Sequence, residues 1–485
     1  MPDQLRNFVA ALLDRSGEPS DGGPQPISLK IANGAILLCL VYLWLRPVSD
    51  NVVLVPVLLA MGLASAVVCF LGARRFAPGF RLIWVSQFSF ALLGTSVAAF
   101  NATPGILYGM LVYIAAPVLY WTWVRALDLG TIRLAFIWLA ISTSALSIVI
   151  VLFVAGERGL MSQVVPAALL QASGAGFASS VDITSQIRFY GLSTLAAAGP
   201  LWAASLFIRA DKLMPHAILR IVAASSSILA ALVAGRRAIV IVTILAPLLA
   251  WICSVIIRGH KVSRLGSVGW TFGAAFNDRA RILLTLGGTL LVLAVAWAVA
   301  PSLIPLSAIS RSLSSAEAIT FGTGTNLTDV RVPEARALIN GWLVSPFVGN
   351  GFGATLATFV RDPARPWNFE LQYHLILFQT GLVGILLAIM ALVGTLRQLR
   401  AAAQAMPQYS GTLVVAATGA VSLLLANSVD PYLQAPGHMW AIYLPLAIAN
   451  SALLARAIHN QEGPRSADAK KPTDVIAATL GWLDS

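Results

Sequence analysis

The chain has 485 residues, 58% of them hydrophobic and only 11% charged, and its mean hydropathy is +0.81. Soluble domains carry about 25% charged residues, so this deficit excludes a set of soluble domains and predicts one large polytopic membrane domain. The formal net charge of +12 does not point to nucleic acid, because the basic residues fall in short loops between apolar runs, where they set orientation.

Residues 1–26 are expected to form a cytoplasmic segment. In it Leu5, Phe8, Val9, Leu12 and Leu13 share one helical face, the pattern of an amphipathic surface helix. The first apolar run opens near Ile27 without a small-residue cleavage site, so no signal peptide is expected. Apolar runs of about 18–22 residues then predict transmembrane helices at 28–45, 52–71, 82–100, 104–124, 134–155, 189–208, 216–233, 238–257, 282–301, 371–395, 411–428 and 438–455. The expected fold is an all-α integral membrane protein of about twelve transmembrane helices. A large extracytoplasmic loop carrying short helices, residues 302–370, separates the ninth span from the tenth. The membrane domain covers 27–456 and a cytoplasmic tail covers 457–485. In that tail Thr473 is placed to cap a short helix bearing Val475, Ile476, Leu480 and Leu483. For both ends, loosely docked tails are the alternative.

Orientation follows from alternate loops. Arg74, Arg75 and Arg81 occupy one, Arg125 and Arg133 the next but one, followed by Arg209 with Lys212, the Arg258–Arg281 stretch, and Arg397 with Arg400. These loops are cytoplasmic by the positive-inside rule, so both termini are cytoplasmic. The long loop, residues 156–188 and the turn at Arg236-Arg237 are outside.

Cys39, Cys69 and Cys253 lie inside apolar runs, and the five histidines form no HExxH element. No disulfide framework, metal centre or cofactor is expected. Ionisable groups concentrate instead in the polar stretch from Ala300 to Glu370.

Arg236 and Arg237 sit in a tight outer turn, against the orientation rule. Charge at that depth is costly and usually functional, the alternative being that both snorkel to headgroups. Arg188, at the mouth of the sixth span, is either functional or an interfacial anchor beside Phe189 and Tyr190. Arg331 and Arg336 flank Pro333, which suits a first helical turn. Behind it Val332, Ala335, Leu338, Ile339 and Trp342 make an apolar stripe. This reads as a helix along the membrane surface, on which an exposed arginine is by default solvated. A guanidinium fork, however, binds phosphate oxygens bidentately, so arginines converging at the outer leaflet suit a lipid-linked diphosphate. The Gly349-x-Gly351-x-Gly353 run has no preceding strand and no Walker lysine. It is therefore read as a turn of close chain approach rather than a nucleotide loop. Glu370 and His374 are expected to share one face at the start of the tenth helix. A carboxylate there suits a general base, or else a helix-start glutamate favoured by the helix dipole.

The stretch from Arg331 to Gly384 resembles the bacterial O-antigen ligase/O-antigen polymerase family. The resemblance rests on the loop arginine Arg331, a Pro-x-x-Gly-x-Gly-x-Gly turn (Pro346, Gly349, Gly351, Gly353) and a Gly-x-x-Gly helix element (Gly381, Gly384). The span count, the large outer loop, Gly235-Arg236-Arg237, and Arg188 with Gly191 fit as well. The Pro-Asn that often follows the upstream Arg-x-x-Gly element is absent here. Where the family's ligases carry histidine this chain has Glu370, followed by Tyr373, which looks more like the polymerase branch.

The resemblance implies a metal-independent glycosyltransferase of the bacterial inner membrane. Its donor would be a glycan linked to a polyprenyl diphosphate such as undecaprenyl diphosphate, used for O-antigen, capsule or exopolysaccharide. Arg236, Arg237, Arg331, Arg188 and Arg336 would hold the diphosphate. Glu370 would act as base with His374 assisting, and the glycine turn would let the loop close on the sugar. A flippase and a chain-length regulator are the implied protein partners. The rival readings are a ligase, a transporter or flippase of lipid-linked glycan without catalysis, and an inactive assembly subunit.

Overall fold

The computed structural model describes residues 27–47, 53–72, 74–157, 161–166, 176–178, 187–234, 236–259 and 331–467. The ninth predicted span at 282–301, residues 302–330 of the long loop and both predicted tail helices lie outside the described residues. So do the side chains of Arg188 and Arg237.

The described chain is a helical bundle. Its helices are α1 (Ile27–Leu45), α2 (Leu54–Leu71), α3 (Arg81–Phe100), α4 (Ile106–Ala126), α5 (Leu129–Glu157), α6 (Leu195–Phe207), α7 (Ala217–Val233), α8 (Arg237–Arg258), α9 (Arg331–Val344), α10 (Gln372–Ala405), α11 (Ser410–Ala426) and α12 (Trp440–Ala467). Among the described residues nine helices are long and apolar enough to cross a membrane, and α6 and α7 are shorter apolar helices. This is the build of a membrane protein, since helices alone satisfy their backbone groups in hydrocarbon without an edge to close. One strand pair interrupts it: β1 (Gly176–Ala178) pairs antiparallel with β2 (Ile187–Phe189), with Phe177 opposite Arg188.

Apart from 282–301, each predicted span falls on a helix, but the sixth is shorter than expected. Residues Tyr190–Thr194 form a 3-10 turn instead of the helix start. There the Thr194 hydroxyl donates to the Trp44 carbonyl at 2.6 Å, and Gly191 lies against the Leu45 carbonyl with no room for a side chain. The end of α1 therefore holds this segment in a tight turn. The tenth helix runs further than expected, to Ala405, but is broken at Gly381.

The bundle is organised around α11 and α12, whose apolar windows are 72% and 61% buried against 28% for α10. α11 packs on α6 and α8, and α12 on α4, α10 and α11. Small residues permit these close approaches: Gly419 of α11 faces the Ala197 carbonyl and Leu201 of α6.

α3 and α10 run antiparallel, with Gly394 facing Ile83 near one end and Gly351, beside Gln379, facing Ala98 near the other. Between them the segment Pro346–Gly353 enters the bundle and fills the break in α10. Asn350 N and Gly351 N donate to the carbonyls of Phe378 and Gln379 at 3.0 and 2.9 Å. On the other side of the break Leu382 N and Val383 N donate to the carbonyls of Pro346 and Phe347 at 2.9 and 3.0 Å. Non-helical backbone at membrane depth is tolerated where protein satisfies it in this way. Gly381 has φ +59°, and a Cβ there would sit 2.4 Å from Phe347 backbone atoms. Gly351 has φ +90°, and a Cβ there would sit 2.4 Å from the Ala98 backbone.

Candidate functional site

At the end of the bundle where α3 finishes and α10 begins, four segments bring charged groups together. α9 contributes Arg331 and Glu334 from its first turn. The chain leading into α10 contributes Arg361 and Glu370. The connection between α11 and α12 contributes Asp430 and Tyr432, and the start of α8 contributes Arg236.

Glu370 lies at the centre of the cluster. Arg331 Nε donates to its Oε2 at 3.1 Å, and Arg361 Nη2 pairs with its Oε1. Arg331 Nη2 also lies 3.8 Å from Asp430 Oδ1. The Tyr432 hydroxyl donates to Asp430 Oδ2 at 3.2 Å, and Arg236 donates to that hydroxyl. Three arginines from three parts of the chain thus meet around two partly buried carboxylates.

Glu334 is the fully buried member, 0% exposed. Its Oε1 accepts Glu370 N at 2.6 Å and Leu371 N at 2.9 Å, and its Oε2 accepts Arg361 Nη1 at 3.2 Å. Burial pushes the Glu334 carboxyl up from its ordinary value, against the two backbone N–H groups and Arg361, which hold it down. Burial likewise pushes Asp430 up, opposed by Arg236 and Arg331 and reinforced by the negative charge of Glu370. The Tyr432 phenol is raised by burial first and by Asp430 second, so it stays neutral and remains a donor.

A neutral polar frame fixes the loops beneath. Asn427 Oδ1 accepts Leu433 N at 2.9 Å, closing the turn that presents Asp430. Gln434 Nε2 donates to Gln372 Oε1 at 2.9 Å and to the Phe369 carbonyl at 3.1 Å, tying this turn to the start of α10. Gln372 in turn donates to the Tyr113 hydroxyl at 2.9 Å. Tyr113 lies in a π-helical stretch of α4, Leu111–Ala115, and stacks on Phe352 of the inserted segment at 4.2 Å. Such π-bulges re-aim side chains, often at functional sites. Buried His438 shares a hydrogen bond of 2.7 Å with Ser193 Oγ and packs edge-on against Tyr432. Ser193 belongs to the turn directly following β2, so the strand carrying Arg188 leads into this neighbourhood.

The expected residues divide accordingly. Arg331, Arg236 and Glu370 come together. Arg237 is the first residue of α8, next to Arg236, but its side chain, like that of Arg188, lies outside the described residues. Arg336 does not join the cluster: it is exposed on α9, two residues past the buried Glu334 and so on another face, with no ion pair among the described residues. Glu370 and His374 do not share a helical face, which corrects the expectation. Glu370 precedes the helix, because Leu371 has φ −81° and ψ 81° and α10 begins at Gln372. Glu334 holds the Glu370 and Leu371 amides in that extended path. His374 is half-buried on α10 with no hydrogen-bond partner among the described residues. Gly349, Gly351 and Gly353 all have positive φ and pack against the backbones of α10, α3 and the start of α4. Their contacts splice the chain into the bundle, the close chain approach expected of this glycine run.

Arg361, Asp430, Tyr432 and His438 were not foreseen. One signal was available: Asp430-Pro431 is the acidic element of a short connection between two predicted spans, on the same side as the long loop. Among the described residues no trio of His, Cys, Asp or Glu could hold a metal ion. No protein-family model matches the chain, and no curated protein sequence matches it.

Proposed function

We propose that the protein transfers glycan from a polyprenyl-diphosphate-linked donor to an acceptor hydroxyl at the outer face of the bacterial cytoplasmic membrane, acting as a polymerase of lipid-linked repeat units. One observation carries this reading: Glu370 is clamped between Arg331 and Arg361, while Arg331 also faces Asp430 beside Arg236. In this cluster each guanidinium has a protein carboxylate or phenol to exchange for a phosphate oxygen.

The chemistry is an exchange of partners. An incoming diphosphate competes for Arg331, Arg361 and Arg236, whose forks suit its oxygens. Glu370 is thereby released from its two ion pairs next to the reacting centre. The acceptor hydroxyl oxygen then attacks the anomeric carbon and its proton passes to the Glu370 carboxylate. The bond from that carbon to the diphosphate oxygen breaks, and the electron pair leaves with the diphosphate. The arginines stabilise the developing charge without a metal. Outside the cytoplasm there is no nucleotide supply, so a donor that arrives already activated on a lipid suits an outward-facing site.

The test is a purified assay with a lipid-linked repeat unit. Extended lipid-linked chains support polymerisation, whereas transfer only to a separate acceptor identifies a ligase. Wild-type protein that makes neither product removes the glycosyltransferase reading. Glu370→Gln is expected to lose about 10²–10⁴-fold in rate, as for removal of a catalytic base. Wild-type chain length from that variant would remove Glu370 from the chemistry.

A further inference from the structure

At the opposite end of the bundle, where the alternate basic loops gather, a cavity of about 880 Å³ opens between α5, α7, the end of α8 and the turn preceding α11. Arg133, Arg209, Lys212, Arg220 and Arg258 line it together with a single carboxylate, Asp211. That carboxylate is committed elsewhere. It accepts Thr412 N at 2.7 Å and Leu213 N at 3.0 Å, and it also takes the Thr412 hydroxyl, pinning the start of α11. His216 is engaged as the cap of α7 through Ile218 N. The cavity therefore offers five cations and one carboxylate that is already engaged, a profile that suits binding an anion. Arg220 adds a specific demand: one Nη1 donates to the Ser205 carbonyl, while its buried Nε has no acceptor. An anion oxygen in the cavity would answer it.

The surroundings distinguish the source of that anion. On α7, Ile218, Ile221 and Val222 are exposed one turn from the cavity mouth, and on α5 so are Leu134, Trp138 and Ile141. These side chains face the lipid region of a bundle whose long helices cross the membrane. A ligand with a phosphate head and acyl chains satisfies both surfaces at once. A free phosphate satisfies only the first.

We infer that this cavity is a binding site for the phosphate headgroup of an anionic phospholipid, with the acyl chains lying along the outer faces of α5 and α7. The volume falls within the usual range for ligand sites, about 300–1,000 Å³, and basic pockets between transmembrane helices recognise lipid headgroups of this charge. The inference does not rest on glycan transfer. The site lies at the other end of the bundle from Glu370 and uses none of its residues.

The experiment compares full-length protein in phosphatidylcholine nanodiscs with and without phosphatidylglycerol, reading the unfolding temperature and the lipids retained in native mass spectrometry. Phosphatidylglycerol is expected to be retained over phosphatidylcholine and to raise the unfolding temperature. The triple variant Arg133→Gln, Arg209→Gln, Lys212→Gln is expected to weaken that retention about fivefold per cation removed. Arg220 is left intact because it also supports the fold through Ser205. Equal retention of both lipids overturns the inference, as does unchanged retention in a triple variant that folds. If the triple variant does not fold, Lys212→Gln alone, at an exposed position, decides by the same reading. A parallel arm adds inorganic phosphate to protein in phosphatidylcholine only. A stabilisation there equal to that from phosphatidylglycerol assigns the cavity to a soluble anion and overturns the lipid.

Discussion

One carboxylate oxygen of Glu334 accepts the backbone N–H groups of both Glu370 and Leu371, at 2.6 and 2.9 Å. A side chain of α9 thereby fixes where α10 starts and keeps Glu370 out of the helix. Its other oxygen receives Arg361, which pairs in turn with Glu370. Glu334→Ala would leave two amide donors without acceptors, each costing about 1–3 kcal/mol when buried. Glu334→Gln keeps an acceptor for those amides and loses only the charge facing Arg361. Thermal unfolding in detergent is expected to show a large drop for Ala and less than half of it for Gln. Equal drops would mean that the amide contacts do not set the local geometry.

Arg331 spans Glu370 at 3.1 Å and Asp430 at 3.8 Å. A lysine ammonium reaches one of the two but lacks the fork to engage both. In the proposed transferase Arg331→Ala is expected to lose about 10²–10³-fold in rate, as for removal of a donor that stabilises developing charge. Arg331→Lys is expected to recover only part of it. Chain-length profiles from cells expressing each variant at equal levels check this, and full activity in both removes Arg331 from the diphosphate site. Arg336→Ala, at an exposed position outside the cluster, is expected to behave as wild type.

The contrast between Arg331 and Arg336 shows what the sequence made legible. Apolar run length alone located α1, α2, α3, α4 and α8, because burying a backbone in hydrocarbon leaves few alternatives to a helix. The polar stretch around Arg331 and Glu370 was legible as the place where ionisable groups collect. Which of them converge was not. Arg331 and Arg336 differ only in the face of α9 they occupy, and that face is set by Glu334 turning inward to answer amides 36 and 37 residues away. Asp430 was missed for a related reason: a lone aspartate in a short connection reads as solvated until the fold partly buries it beside Arg236. The helix break at Gly381 was invisible because its missing hydrogen bonds are supplied by Pro346 and Phe347 from another segment.

Gly351 tests that insertion. With φ +90° and the Ala98 backbone 2.4 Å from a would-be Cβ, an alanine there meets both a left-handed strain of about 1–2 kcal/mol and a clash with a chain that cannot swing away. Gly351→Ala is expected to reduce the monodisperse fraction in fluorescence-detected size exclusion, while Thr355→Ala, at an exposed position nearby, leaves it unchanged. A Gly351→Ala protein as stable as wild type would mean that the inserted segment is not wedged between α3 and α10.

Asp430 separates function from stability through pH. Burial raises its carboxyl above the ordinary carboxylate value, so in the folded protein it takes up its proton at a higher pH than in the unfolded chain. Its contribution to folding is then greatest below the ordinary carboxylate range and is lost as pH rises through the raised value. At neutral pH the buried charge is a burden that Arg236 and Arg331 only partly offset. Activity should follow the opposite course: protonation removes the charge that orients Arg331 and Arg236, so the acid limb of the pH–rate profile begins above the ordinary carboxylate range. Asp430→Asn carries no titrating group at this position. It is expected to unfold at neutral pH no earlier than wild type, to transfer glycan slowly, and to show a rate that no longer falls along that limb. An unchanged acid limb in Asp430→Asn would place the titrating group elsewhere in the cluster, with Glu334 next in line because burial raises its carboxyl as well.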